Sequence, residues 1–388
     1  MYQEIFQKVL VSKEVGNFRF EKTLKYGESV ERVALDISNV YVRAVTRGSA
    51  STIDSITDSA ELLTIDQEYE AVVSVSDGEM VQAGPMNPAE RLGAELAHKV
   101  AQHLDASFFA QVLNAAYDFD TGDLTTLSSN GTPFAENATN TPIMVAMMPA
   151  KLRRNNQILT NLCFVTDSYG AGLMTQYLLG KNIDMVSSVY ANGYAGDVSG
   201  ARVYVSENLT GTAVLGLATQ PTDGDTVTIG GVTFTFKTTL GVTAGNVLIG
   251  ASADAARLNL TTLINAPGTT TSEGVALSAA NQIILQQNLR IAAVNDASAN
   301  TMTITGTGSG ALVLSETFTD GTDAWSKNCV HAYFGKKGGI DMVVQDMQES
   351  DFRKTADRRA TNIFNSYLAG IKTFTDGSKK FLDVLLAR

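Results

Sequence analysis

Cys329 and His331 lie two residues apart in a run of apolar positions, so on a strand both side chains share one face, as a thiol nucleophile and its base would need. Such a pair needs a third group to orient the ring, and the neighbouring stretches offer no Asn or Asp that obviously does so. His98 and His103 stand five apart in a helical segment, about 140° out of phase at 100° per residue, which excludes chelation from one face and predicts surface histidines. The run Gly306-Thr307-Gly308-Ser309-Gly310 lacks the Lys and Ser/Thr of a phosphate loop and opens no helix, so it is expected to be a turn. Asp118/Asp120 and Asp223/Asp225 have spacings that suit acid/base work or calcium, but they sit in Gly/Thr-rich stretches where solvated turn residues are expected. Lys151, Arg153 and Arg154 close a helical segment and suit phosphates, a partner's carboxylates, or simply solvent. No Ser-His-Asp order, zinc-ligand pairing or nucleotide fingerprint emerges, so no catalytic residue, cofactor or metal is expected.

The chain that must position these residues has 388 positions, 44% of them apolar, enough for a substantial core. Its net charge of −11 argues against a reader of nucleic acid, which needs a basic footprint. Cys163 and Cys329 are far apart and read as free thiols of a reducing cytoplasm. The first residues lack the pattern of a secretory signal, and no apolar run reaches the ~18 residues of a spanning helix, so no membrane is expected.

Residues 1–32 read as an extended arm. Alternating apolar positions predict a strand within 33–47 and another within 70–81, expected to form together a long two-stranded arm around SASTIDSITDSAELLTIDQ. Between Gly48 and Glu90 there are nine carboxylates and no Lys or Arg, so the arm's charge has no compensation nearby in sequence and calls for a neighbour. Next, Asn87 as cap, Pro88 at the first helical position and Glu90 three after the cap announce a long helix. Its stripe of Leu92, Leu96, Val100, Leu104, Phe108 and Val112 predicts a rigid spine of about 28 residues, roughly 42 Å long. From Gly211 to about Lys327 the composition turns Thr- and Gly-rich, with a hairpin at Gly230-Gly231 and a helix capped by Ser252, and an independent core is expected there. Residues 349–388 carry eight basic against five acidic side chains, basic where the arm is acidic.

Taken in order, the arm, the acidic loop, the Pro-capped spine, the helix ending LRRNN and then NGYAGDVSGARVYVSENL resemble the major capsid proteins of tailed bacteriophages, which share the Hong Kong 97-type fold. The resemblance covers residues 1–210 and about 328–388 and rests on the order of elements. It implies an α+β fold: an N-terminal arm (1–32), an extended loop (33–85), a peripheral domain (86–184 with 340–388), an axial domain (185–210 with 328–339) and a β-rich insertion domain (211–327). It further implies a structural protein, not an enzyme, that self-assembles as hexamers and pentamers into the icosahedral shell of a virion in the bacterial host cytoplasm. The implied partners are a separate scaffolding protein, a portal protein, a decoration protein and packaged DNA contacted non-specifically. Some relatives crosslink through a loop Lys and an Asn; with no Lys between Lys25 and Lys99 that chemistry is not expected here. The expected subunit interface sets Asp54, Asp58, Glu61, Asp66, Glu68 and Glu70 of one copy against Arg353, Lys354, Arg358 and Arg359, or Lys151, Arg153 and Arg154, of the next. A tail-tube or adhesive phage component is the alternative, favoured by the Thr/Gly-rich insert and disfavoured by the length of the spine. A hydrolase acting through Cys329 and His331 or an acidic pair is a third reading.

Overall fold

The computed structural model describes residues 11–20, 28–36, 40–44, 47–48, 53–54, 57–82, 88–155, 157–179, 194–198, 200–319, 323–354 and 359–388. The spine helix, Pro88–Ala110, begins at the proline and runs into a 3-10 turn, Gln111–Asn114. Leu96, Val100, Leu104, Phe108 and Val112 are all buried, so the four-residue repeat is the face turned to the core. That face lies on a three-stranded antiparallel sheet in the order β16-β17-β3, where β3 is Gln67–Ser76, β16 Asp341–Lys354 and β17 Ala360–Lys372.

The sequence reading paired the strand within 70–81 with the one within 33–47, and the structure corrects it. β1 (Ser29–Asp36) pairs antiparallel with β2 (Thr57–Thr64), from Ser29 opposite Thr64 to Asp36 opposite Thr57. β3 pairs instead with β17, Tyr69 opposite Tyr367. In β3, Ala71, Val73 and Val75 pack against Leu92 and Leu96 of the spine and Ile363 of β17, so tertiary burial decided the partner. β2 arises within the Ser/Thr/Asp stretch, where only Leu62 and Leu63 mark a strand.

A nine-stranded mixed sheet forms the other half of the core. Its main path is β12-β13-β8-β15-β5-β7-β6, with β5 as Leu162–Thr166, β6 Tyr194–Val198, β7 Ala201–Val205, β8 Thr210–Gly216, β12 Ile291–Asp296, β13 Thr301–Gly306 and β15 Ala324–Lys336. β18 (Phe381–Ala387) pairs with β15 and with the short β4, Asp118–Phe119. The insert therefore contributes β8, β12 and β13 to the same sheet that β5, β6 and β7 occupy. A separate apolar cluster, including Phe234, Phe236, Leu260, Ile304 and Met302, is built almost wholly from residues 213–312. Its second layer is the sheet β11-β10-β9-β14, with β11 as Asn246–Leu248 and β14 as Leu314–Glu316, in which β9 (Thr226–Ile229) and β10 (Val232–Lys237) turn at Gly230-Gly231. The helix Ala253–Asn265 starts with Ser252 Oγ accepting the Ala255 N–H and packs on β12 and β11. At its far end the Asn265 amide engages β12 from the side: Asn265 Nδ2 donates to the Ala293 carbonyl at 2.8 Å and Asn265 Oδ1 accepts the Ala293 N–H at 2.9 Å.

Asp105, fully buried on the spine, ties the parts together by accepting from the Ser12 N–H (2.8 Å), Ser206 Oγ (3.1 Å) and Asn208 Nδ2 (3.1 Å). Burial raises its pKa, against these donors. Phe108→Ala is expected to cost about 3–5 kcal/mol by opening a cavity in the spine-facing cluster, read as a lower urea midpoint.

Candidate functional site

The ribbon β1–β2 is fastened at its root. Leu63, Val343 and Phe374 are buried together with Phe20, Val30 and Ile65 packed around them. Arg32 Nη2 donates to Asp376 Oδ2 at 2.5 Å, Lys380 Nζ to the same oxygen at 3.1 Å, and Lys372 Nζ to the Leu62 carbonyl at 2.6 Å. Partial burial works against the charge of Asp376, but Arg32 and Lys380 outweigh it and hold the carboxyl below its ordinary range. Glu61 accepts from the Thr375 N–H at 3.2 Å and from its hydroxyl. Gly370 makes this approach feasible, since a Cβ there would meet the Thr64 carbonyl oxygen at 2.5 Å. Leu62 at the root keeps its side chain exposed, and farther along the ribbon Val33, Tyr41, Val42 and Ile53 are exposed as well. Near the tip Asp54 takes Arg43 at 2.7 Å and the Tyr41 N–H at 3.0 Å, so this carboxylate is compensated from within the ribbon, from just outside the stretch that lacks basic residues.

The expected interface residues do not share one environment. Asp66, Glu68, Glu70, Arg153, Arg353, Lys354 and Arg359 are exposed. Arg353 donates to Asp351 at 2.7 Å and lies over the Phe364 ring, and Arg154 donates to the Leu127 carbonyl at 3.1 Å. Among the described residues no ion pair joins Asp54 or Glu61 of the ribbon, Asp66 of the link to β3, or Glu68 and Glu70 of β3 to Arg353, Lys354 or Arg359. The Asp58 side chain and Arg358 lie outside the described residues. Lys151 is a correction: it is 5% exposed, and its ammonium is consumed inside its own chain by Asp123 (2.5 Å), Ser129 (2.5 Å) and the Asp118 carbonyl. The helix carrying it, Asn140–Arg154, turns this face inward, so Lys151 is a core ion pair and no docking charge.

His331 also departs from expectation, because an orienting carboxylate is present. β18 places Asp383 Oδ2 2.7 Å from His331 Nδ1, while Nε2 faces Thr212 Oγ1 at 2.8 Å and Cys329 Sγ at 3.7 Å. The partner was hidden because Asp383 is 52 residues away in sequence and its strand pairs antiparallel to β15. Cys329, His331 and Asp383 are 3%, 6% and 4% exposed, so no substrate reaches the thiol. Burial alone would favour the neutral ring, but Asp383 prevails and raises the His331 pKa to about 10, leaving a cation where catalysis would need a base. The group is a staple across β8, β15 and β18.

His103 is no surface histidine. Its Nδ1 lies 2.7 Å from the Tyr367 hydroxyl and its ring sits 4.3 Å from that of Tyr69, centroid to centroid; burial first, then the charge of Arg290, lowers its pKa to about 4. It borders a cleft of about 500 Å³ between the spine, β3 and β17 on one side and insert residues 287–290 and Gly308 on the other. Sequence reasoning missed this cleft because its walls come from segments far apart in the chain. Asp120 sits in a turn as expected but is buried and not solvated, its carboxylate accepting the Gly122, Asn130 and Gly131 N–H groups.

No family model and no curated protein matches the chain. Among solved structures it is similar to a chain from Mycobacterium phage Che8, at 13% identity and TM-score 0.51, over 97% of this chain and 90% of that one. It also resembles a chain of the capsid structure of the cyanophage P-SCSP1u (10% identity, TM-score 0.47, 93% and 84%) and one of the mature capsid of bacteriophage PhiM1 (13%, 0.44, 93% and 82%). The chain is a mixed α+β protein built on a spine helix, a rooted ribbon and a large mixed sheet. Its fold is of the Hong Kong 97 type, shared with the Che8 chain.

The two histidines bound stability from opposite sides. His331 is raised from 6.5 to about 10, so its contribution is full below pH 6.5 and is lost as pH climbs through 10; His331→Gln is expected to flatten the fall of the urea midpoint between pH 7 and 10. His103 is depressed from 6.5 to about 4, so its contribution is present above 6.5 and declines toward pH 4; His103→Gln is expected to flatten that acid limb in the same titration. Lys151→Met leaves Asp123 buried without its cation and is expected to cost about 3–5 kcal/mol in denaturant unfolding.

Proposed function

We propose that this chain is a major capsid protein, whose copies close into the icosahedral shell of a tailed bacteriophage. The observation that carries the reading is the ribbon: fixed to its own chain at one end, it holds Val33, Tyr41, Val42, Ile53 and Leu62 exposed along its length. A lone subunit gains nothing from holding apolar side chains in water on a two-stranded projection, whereas a neighbouring copy can cover them. The Hong Kong 97-type fold shared with a chain of a phage supports the same reading. Buried apolar area between copies supplies the hold. Exposed carboxylates next to the ribbon's root, Asp66 before β3 and Glu68 at its start, set against basic surface residues such as Arg153, Arg353, Lys354 and Arg359, choose register and partner, since each exposed pair is worth only about 0–1 kcal/mol.

In this reading hexamers and pentamers form with the help of a separate scaffolding protein and a portal, DNA is enclosed without sequence-specific contact, and no reaction is catalysed. No described helix is long and apolar enough to cross a membrane. The expressed chain, alone or with its scaffold, is expected to give closed particles in negative-stain images. Asp66→Lys with Glu68→Lys is expected to leave a soluble subunit with unchanged circular dichroism that no longer closes shells; normal shells from that variant would remove these two charges from the account.

A further inference from the structure

The cleft beneath the insert is lined by donors that have no acceptor. Lys99 and Gln102 come from the spine, Tyr69 from β3, and Asn288 and Arg290 from the turn into β12. Among the described residues none of these five side chains makes a hydrogen bond or an ion pair within the chain. Arg290 is the most confined of them: it is half-buried, and its backbone is left-handed, with φ of 46°. Its guanidinium occupies room that Gly308 leaves open, since a Cβ on Gly308 would meet both it and Ala106 of the spine. Burial lowers the Arg290 pKa, and the same cation faces His103, which burial and Arg290 together keep neutral. Glu70 is the one carboxylate in the lining; it is exposed and forms no ion pair with Arg290. A half-buried cation without a counter-charge is costly, and an arriving anion removes the cost.

We propose that this cleft is a binding site for a small tetrahedral oxyanion of the phosphate type, held between Arg290 of the insert and Lys99 of the spine. The class of ligand follows from the lining. A guanidinium, an ammonium, a phenol and two amides offer N–H and O–H groups from three separate elements, which suits an acceptor with oxygens on every side better than a planar one. A volume of about 500 Å³ admits such an ion with room to spare. A nucleic-acid duplex is the wrong occupant, because Arg290 is recessed and the net charge of −11 repels a polyanion. The bound ion acts as a clamp. It joins the insert to the spine, two parts that bury most of their apolar side chains in separate clusters.

The site does not depend on shell closure and is tested on the whole chain in solution. The protein has three histidines, so ¹⁵N-labelled histidine reports His103 in the cleft and His331 away from it as an internal control. Inorganic phosphate replaces chloride at constant ionic strength. The His103 ring resonances are expected to shift and saturate with a half-point of about 1 mM, while those of His331 stay in place. The His103 titration midpoint is expected to rise by about one pH unit, because a nearby anion favours the charged ring. Phosphate is also expected to raise the urea midpoint with the same saturation. In Arg290→Gln both saturable effects disappear and only the gradual, unsaturated stabilisation by a strongly hydrated anion remains. Lys99→Gln, at an exposed position, is expected to weaken binding several-fold and carries the test if Arg290→Gln disturbs the His331 signal. No saturable His103 shift in the unmodified chain overturns the site, as does a shift that survives in Arg290→Gln or is unchanged in Lys99→Gln. A short DNA duplex that displaces phosphate at equal phosphate concentration overturns the small ion as occupant.

Discussion

A ribbon of two strands has too little surface to bury and is marginal in water by itself, so everything that β1 and β2 do depends on how their root is held. That hold is mixed. Leu63, Val343 and Phe374 exclude water, Arg32 and Lys380 share the Asp376 carboxylate, and Glu61 caps the turn at Thr375. The apolar part supplies most of the stability, and the ionic part fixes direction, because charges this near the surface contribute little energy but strongly prefer one geometry. Apart from Val343 of β16, the receiving groups lie between β17 and β18, elements that also meet the spine or the large sheet. The ribbon's pose is thus set by the central body and not by its own strands.

The second organising feature is β15, which serves three strands at once. Its first half pairs with β8, its second with β5, and β18 lies along its other edge. The insert is consequently spliced into the main sheet and does not hang from a linker. The His331 staple sits at this junction and joins Thr212 of β8 and Asp383 of β18 through His331 of β15, so a change at Thr212 or Asp383 is felt on both sides of the junction. A constellation that resembles a nucleophile, a base and an orienting acid here holds strands in place, and its burial and charge state distinguish the two roles.

Local patterning conveyed much of this. The spine was legible because Pro88 and a four-residue apolar repeat act over short range, and the Gly230-Gly231 hairpin and the Ser252 cap were legible for the same reason. What failed was pairing over distance. β3 carries the alternation of a ribbon strand, yet it is claimed by β17 because Leu92, Leu96 and Ile363 offer its apolar face more burial than β1 does. Lys151 reads as surface charge in a basic cluster, and only the fold shows Asp123 beneath it. The same limit concealed Asp383 from His331 and the insert's Arg290 from the spine.

The Asn265 amide on β12 carries a consequence for crowding. β12 is the outermost strand of the large sheet, and an open strand edge invites another chain to continue the ladder. By taking both the donor and the acceptor of Ala293, one side chain imitates a neighbouring strand and closes that template. Another chain that approaches this edge therefore finds the backbone of Ala293 already occupied, and contacts there are confined to side chains.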